Sequence, residues 1–149
     1  MPDMHHLIEI DGVDAAAAYA ALTTQDGITG WWTSHAEVPD ARVGEVLKMS
    51  FPDAPMTWDM RVTVLDEMSR VEWSCVAGPP GWPGTRVVWA LDKGADAADA
   101  GDVVVVRFDH NDFAEVDDMF RIVTVGWAQM LLSLKAYLES GQHRPFFSF

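Results

Sequence analysis

The sequence predicts a single α+β domain in which a long C-terminal helix closes a curved antiparallel sheet over an apolar cavity. Three observations support this prediction. The chain has 149 residues, the length of one domain, so we treat residues 1–149 as one unit. Its middle alternates apolar and polar residues, which is typical of strands with one buried face. From about Asp118 the apolar period becomes that of a helix.

The first part of the chain predicts one strand and two short helices. An apolar segment at residues 7–10 is a candidate strand that ends at an Asp-Gly turn signal. Asp14 precedes an alanine-rich run and suits the N-cap of a first helix. Either Thr23 or Thr24 can cap a second helix, which carries the tryptophan pair at 31–32.

Five runs with a two-residue apolar period follow, and the short connections between them imply an antiparallel sheet. A Gly- and Pro-rich segment at 78–84 must be a loop, because prolines cannot donate to a sheet ladder. The segment 93–101, rich in Ala, Asp and Gly, predicts a mobile hairpin tip. The five runs are 43–51, 58–64, 71–75, 87–91 and 104–110.

The predicted C-terminal helix has an apolar stripe and clear end signals. Asp117 and Asp118 suit its positive N-terminal end, and Gly141 followed by Pro145 stops it. About 22 residues would form a rod of about 33 Å, long enough to cross a small sheet. Gly126 costs about 1 kcal/mol inside a helix, which indicates close approach to another element or room left for a ligand. The stripe consists of Phe120, Val123, Trp127, Met130, Leu131, Leu134 and Leu138.

Composition and charge restrict the possible partners. The 23 acidic and 10 basic residues give a net charge of −13, which repels nucleic-acid backbones and anionic membranes. A single cysteine, Cys75, cannot form an internal disulfide, as expected in a reducing compartment. We see neither a signal peptide nor the roughly 20 apolar residues of a spanning helix. We therefore expect a cytoplasmic protein with no nucleic-acid or membrane partner.

Four short motifs, in a fixed order along the chain, indicate a family. With them the chain resembles the activator-of-Hsp90-ATPase-homologue (AHSA1-like) branch of the START/Bet v 1-like (SRPBCC) superfamily over nearly its whole length. The resemblance implies a helix-grip fold, in which the sheet wraps around the C-terminal helix and leaves a tunnel. It implies no particular reaction, because the superfamily spans carriers, cyclases, hydrolases and co-chaperone domains. The motifs are Tyr19-Ala20-Ala21-Leu22-Thr23 with Trp31-Trp32, Phe108-Asp109-His110-Asn111-Asp112-Phe113, Gly126-Trp127, and Leu131 through Leu134-Lys135 to Tyr137-Leu138-Glu139-Ser140-Gly141.

Inward positions are rich in Trp and Met, which suits a pocket with an adaptable occupant because Met fills irregular space and repacks readily. The same residues would also make an ordinary filled core. If the cavity is present, we expect it to hold a small apolar molecule without any cofactor. Its expected wall consists of Met49, Trp58, Met60, Trp73, Trp89, Phe108, His110, Met119, Val123, Trp127 and Met130.

His110 is the candidate catalytic residue. It lies two residues after Phe108 on the same predicted strand, so both side chains should point to the inward face, with His110 near the strand end. There it could act as a general base or orient a polar group of a ligand. Alternatively, it is a structural histidine that is hydrogen-bonded to Asp112, Asn111 or a helix residue.

Two other groups invite a chemical interpretation that the sequence does not favour. The acidic segment 109–118 begins like a calcium loop, but Ala114 replaces the turn glycine and Phe120 the terminal acid. We therefore expect no metal site. Cys75 lies at an inward position, where we expect an inert packed thiol and not a nucleophile.

Two aromatic features each leave two interpretations open. Trp82 either forms a lid over the cavity mouth or packs down within an ordinary loop. Phe146, Phe147 and Phe149 end the chain and would form an adhesive apolar patch if they were exposed. They pack either on the domain itself or against a partner subunit, and we favour a homodimer.

Three hypotheses for function follow. We favour a protein that binds a small hydrophobic or aromatic molecule, with His110 as a polar anchor. An enzyme is less favoured; it would be a cyclase or dehydratase that uses the same cavity, with His110 as general base. The third hypothesis is interaction with a chaperone, as in Hsp90 co-chaperone domains, which only the resemblance supports.

Overall fold

A long helix crosses one face of a seven-stranded sheet in the structure, a computed structural model that describes residues 1–94 and 102–149. Strand β1 is followed by two short helices, six further strands and the C-terminal helix α3. In chain order the elements are β1 (Met4–Asp11), α1 (Ala15–Thr23), α2 (Gln25–Trp31), β2 (His35–Glu37), β3 (Val46–Ser50), β4 (Trp58–Asp66), β5 (Arg70–Ala77), β6 (Arg86–Lys93), β7 (Val103–Asn111) and α3 (Asp118–Ser140).

The sheet has the strand order β1-β7-β6-β5-β4-β3-β2, and each neighbouring pair is antiparallel. The first strand therefore pairs with the last, with Met4 opposite His110 and Ile10 opposite Val104. This architecture confirms the predicted helix-grip α+β fold. Strand β2 was not predicted, because three residues are too few to show a two-residue period.

Side-chain caps fix the three helix starts. The side chain of Asp14 accepts from the Ala17 N–H at 2.9 Å, and that of Asp117 accepts from the Phe120 N–H at 2.8 Å. Of the two predicted caps for α2, Thr24 is the one used. Gly141 ends α3 in the left-handed conformation, with φ of 75°.

Two glycines let α2 pack closely against its neighbours. A Cβ on Gly27 would lie 2.5 Å from the Cα of Ala21 in α1, and one on Gly30 would lie 2.4 Å from the ring of Tyr137 in α3. Such distances are far inside van der Waals contact, so larger residues would push the helices apart. This packing sets the position of Trp31 and Trp32 over the sheet.

Side chains fill the space between the sheet and α3. The indoles of Trp31, Trp32 and Trp73 are at most 1% exposed, and they stack with centroid distances of 5.5 and 6.0 Å. Trp89 packs edge-on against Trp31 and Trp73 at 5.8 and 5.6 Å. The interior of this domain is therefore an aromatic core.

The C-terminal tail packs on its own domain. The N–H groups of Phe146 and Phe147 donate to the carbonyls of Trp31 and Trp32, both at 2.9 Å. The Phe147 ring lies 4.8 Å from that of Phe51, whereas Phe146 and Phe149 remain 40% and 53% exposed. Of the two predicted arrangements of the tail, the backbone and Phe147 adopt the intramolecular one.

The predicted hairpin tip at 93–101 falls, beyond Gly94, outside the described residues. At its base the Gly94 N–H donates to the Val103 carbonyl at 2.8 Å. No helix within 1–94 or 102–149 is long and apolar enough to cross a membrane.

Candidate functional site

An apolar groove opens at one end of the domain, between the first half of α3, the loop after β3 and the loop between β5 and β6. We call it the α3 groove; its volume is about 350 Å³. Among the described residues that line it, none carries a charged side chain. These residues are Trp32, Phe51, Pro52, Ala54, Trp58, Pro79, Trp82, Met119, Ile122, Val123, Gly126, Met130 and Phe147.

One wall of the α3 groove is aromatic. The rings of Phe51 and Trp58 meet edge to face at 4.4 Å, and Trp58 meets Trp82 in the same way at 6.2 Å. Phe147 from the tail extends this wall next to Phe51. Edge-to-face contacts hold these rings against one another, so the wall is a packed apolar surface.

The opposite wall is the first half of α3. Met119 and Ile122 at the rim are 47% and 65% exposed, whereas Val123 and Met130 are mostly buried. A Cβ built on Gly126 meets nothing within 4 Å. Of the two explanations predicted for this glycine, close approach within the described chain is therefore wrong, and the glycine leaves open space in the groove wall.

His110 lies directly behind the groove, fully buried on β7. The Trp127 indole N–H donates to its Nδ1 at 3.0 Å, so Nδ1 carries no proton. The proton of the neutral ring is then on Nε2, which lies 2.8 Å from the Thr85 hydroxyl oxygen and donates to it. That hydroxyl donates in turn to the Trp82 carbonyl at 2.6 Å. Both ring nitrogens are therefore used inside the protein.

Burial lowers the pKa of His110 from 6.5 to about 3. The ring is therefore neutral at physiological pH, and its single lone pair accepts from Trp127. A general base needs a free lone pair within reach of a substrate proton, which this arrangement does not offer. The geometry instead makes His110 a positioning residue that links Trp127 on α3 to the loop with Trp82.

The structure divides the residues that the sequence singled out into two groups. Trp58, Met119, Val123 and Met130 line the α3 groove. The other expected wall residues are completely buried in the filled interior: Met49, Met60, Trp73, Trp89, Phe108, His110 and Trp127. The expected space is thus at the open end of the helix grip and not along the tunnel.

Trp82 contributes to the groove from its proline-rich loop. Its side chain is 6% exposed, and its ring packs edge-on against His110 with a centroid distance of 4.8 Å. Of the two interpretations of Trp82, the structure has the ring packed down. In this position it forms part of the groove wall next to Trp58.

The family model that describes activator of Hsp90 ATPase homolog 1-like proteins matches residues 13–139, which is most of the chain. The chain belongs to this family. The predicted resemblance is thereby confirmed.

Three solved structures are similar to this chain. The Aha1 dimer from Colwellia psychrerythraea is 33% identical, with a TM-score of 0.81, over 95% of this chain and 98% of that one. SSP2350 from Staphylococcus saprophyticus is 19% identical, with a TM-score of 0.73, over 98% of both chains. DynU16, a protein of the dynemicin biosynthetic locus, is 18% identical, with a TM-score of 0.76, over 99% of this chain and 51% of that one. The last two share the fold. A search among curated proteins gave no significant match.

The structure also describes Cys75 and the acidic side chains that the sequence singled out. Cys75 is 2% exposed, and burial raises the pKa of its thiol to about 11, so the reactive thiolate does not form near neutral pH. In the part of the chain that the structure describes, no three His, Cys, Asp or Glu side chains are grouped to hold a metal ion.

Several groove residues have no recognisable pattern in the sequence. Pro52, Ala54 and Pro79 lie in loops without periodicity, and Ile122 lies on the exposed side of α3. Phe147 belongs to an aromatic tail whose sequence does not indicate the groove. Trp32, at the end of α2, stood out through the tryptophan pair, but its approach to the groove depends on long-range packing.

Proposed function

We propose that the protein binds an uncharged, apolar and largely aromatic small molecule in the α3 groove. One observation carries this proposal: the groove is lined by uncharged residues, with aromatic rings on one wall and methionines on the other. Its volume of about 350 Å³ suits a small ligand. Binding would remove the exposed side chains of Met119 and Ile122 from water.

The lining also limits the charge of the ligand. A carboxylate or an ammonium group would lose its hydration in the groove, where the described wall offers no ion-pair partner. The net charge of −13 further disfavours an anion. A neutral, flat molecule can stack on Trp58 and Trp82 without either cost.

The enzymatic hypothesis receives less support. It assigned the general base to His110, which is completely buried and bonded at both ring nitrogens. Trp82, which lines the α3 groove, packs edge-on against that ring, so the ring lies behind the groove wall. We therefore prefer a binding function, with His110 supporting the wall. A chaperone partner rests on the family description alone.

The proposal extends to a homodimer. The Colwellia psychrerythraea relative, 33% identical, was solved as a dimer. The present chain exposes the large apolar side chains of Ile122, Val125 and Leu132 along α3, in spite of its high negative charge, and such a group is typical of an interaction surface.

The binding proposal is tested by filling the groove. In Gly126→Leu the added side chain enters open space and improves helix propensity, so the fold is retained while the groove is blocked. Val125→Leu is the matched control, because it adds bulk one residue away and outside the groove lining. Affinity is measured with the neutral dye Nile red, by fluorescence and by the rise in melting temperature.

We expect Nile red to bind the wild type and Val125→Leu alike, and to bind Gly126→Leu at least about tenfold more weakly, a change of about 1.4 kcal/mol. Equal affinity for all three proteins would place the dye elsewhere and overturn the assignment of the groove. Absence of binding to the wild type, with no neutral aromatic compound raising its melting temperature, would overturn the binding function.

A further inference from the structure

We propose that two copies of this chain associate through the outer face of α3, packed antiparallel about a two-fold axis near Gln129. This inference rests on the homodimer proposed above and names its surface. The outer face of α3 comprises the exposed residues Ile122, Val125, Gln129, Leu132 and Ala136. Three of them are large apolar side chains that are 65%, 59% and 59% exposed: Ile122, Val125 and Leu132.

The spacing of these residues fits another helix. Their successive separations are three, four, three and four residues, which is the a/d pattern of a coiled coil. The solvent-facing side of a helix is normally polar, so an apolar stripe at this spacing is unusual for a helix that contacts only water. In α3 a second stripe, on the opposite side, already packs on the sheet through Trp127, Leu131 and Leu134. The outer stripe is thus an additional surface with the geometry of a helix–helix contact.

The distribution of charge favours a second copy of this chain as the partner of the outer face of α3. Each chain carries a net charge of −13, so two copies repel each other wherever acidic surfaces meet. On α3 the residues from 122 to 134 include no acid and no base. Two copies can bring these segments together without burying like charges. A single polar residue in the stripe, Gln129, can pair its side-chain amide with that of its own copy across the axis.

The stripe is also symmetric about Gln129. Ile122 and Ala136 lie seven residues to either side, and Val125 and Leu132 lie four and three residues away. An antiparallel two-fold contact therefore places apolar residues opposite one another along its length. Because Ile122 also lines the α3 groove, the second copy would lie beside the groove mouth.

The rival surface is the aromatic tail. Its backbone is held by the hydrogen bonds of Phe146 and Phe147 to the end of α2, and the ring of Phe149 stacks on His35 at 4.3 Å. Most of the tail thus already makes its hydrogen bonds and ring contacts within its own domain. The outer face of α3 has no such intramolecular cover among the described residues.

The test compares three added negative charges by sedimentation velocity. Val125→Glu places a charge in the centre of the stripe, Val43→Glu adds the same charge at a 64%-exposed loop position, and Phe146→Glu challenges the tail. Circular dichroism checks that each variant is folded. We expect the wild type and the Val43 and Phe146 variants to dimerise, and Val125→Glu to dimerise at least about tenfold more weakly.

The outcomes separate the surface from the dimer itself. A wild type that stays monomeric at about 0.1 mM would overturn the homodimer, and with it this inference. A wild-type dimer that Val125→Glu leaves intact, or that only Phe146→Glu dissociates, would overturn the α3 surface alone. Neither result would overturn the proposal that a ligand binds in the α3 groove, which the dye experiment tests separately.

A second measurement fixes the axis. In Gln129→Cys, two thiols on a two-fold axis lie close enough to form an intermolecular disulfide on mild oxidation, whereas Val43→Cys should not cross-link. The native Cys75 does not interfere, because it is buried. Absence of a Gln129→Cys cross-link in a dimer that Val125→Glu dissociates would contradict the antiparallel arrangement about Gln129.

Discussion

Two adjacent residues of α3 lie in opposite environments. Trp127 is completely buried, donates its indole N–H to His110 and contacts the ring of Phe108 at 4.4 Å. Gly126, one residue earlier, lines the α3 groove and has open space where a Cβ would be. The same helix therefore closes a filled interior on one side and borders an open groove on the other.

The filled interior and the open groove should contribute differently to stability and to binding. Filled interiors contribute stability, because each buried ring removes apolar surface from water and makes dense contacts. The groove residues contribute less to stability, since Met119 and Ile122 remain exposed to water. Substitutions in the interior should therefore change the free energy of unfolding, whereas those in the groove should change ligand affinity with little effect on folding.

The largest effect should come from emptying the interior at Trp127. We expect Trp127→Ala to lower the free energy of unfolding by about 3–5 kcal/mol, because it leaves a cavity and removes the donor to His110. Urea denaturation measures the change. Met119→Ala, at the groove rim, should change stability by less than about 1 kcal/mol. Similar costs for the two variants would remove the distinction between the filled and the open region.

A smaller effect should appear on acidification. The unfolded imidazole has its usual pKa of 6.5, whereas that of buried His110 is lowered to about 3. Between these values the unfolded chain binds a proton that the folded chain does not. The free energy of unfolding is therefore at its full value above pH 6.5 and falls with decreasing pH by about 1.4 kcal/mol per pH unit, until the folded ring titrates near pH 3.

This pH dependence can be measured above pH 5, where most carboxylates are still ionised. From pH 6.5 to pH 5 we expect a loss of about 2 kcal/mol in urea denaturation of the wild type. His110→Gln should show a clearly shallower slope over the same interval, whatever its absolute stability. Parallel slopes would mean that His110 is accessible to protons in the folded protein, contrary to the network with Thr85 and Trp127.

The smallest effect concerns Gly126 itself. Gly126→Ala should raise the free energy of unfolding by up to about 1 kcal/mol, because alanine is the better helix former and its Cβ meets no neighbour. Thermal unfolding measures the gain, and Nile red binding should persist because one methyl group occupies little of the groove. Destabilisation would show that the groove wall is closed in solution.

Period and capping residues predicted most of the fold. Asp14 and Asp117 begin helices and Gly141 ends one where the sequence predicts, and the five apolar runs form strands. The three residues of β2 were missed, because so short a strand has no period. Local sequence therefore determined the elements wherever they were long enough to repeat a pattern.

The candidate site was less predictable, for a physical reason. The apolar periods of the strands and of α3 identify the side chains that face inward, such as Trp73 and Trp127. They do not reveal whether packing leaves a gap between these side chains. That depends on the summed volumes of distant residues. Here the rings of Trp31 and Trp32 fill the tunnel, and the gap remains at the mouth. Its walls come partly from Pro52 and Phe147, which lie in irregular segments without a periodic signal.

We propose that a small molecule binds in the α3 groove and not in the interior. Native mass spectrometry of the wild type and Gly126→Leu, purified in parallel, followed by denaturation and extraction of any bound small molecule, tests this proposal. We predict that the wild type carries a neutral apolar compound at one molecule per chain and that Gly126→Leu carries none. The same compound retained by Gly126→Leu at equal occupancy would contradict the claim and point to a site outside the groove.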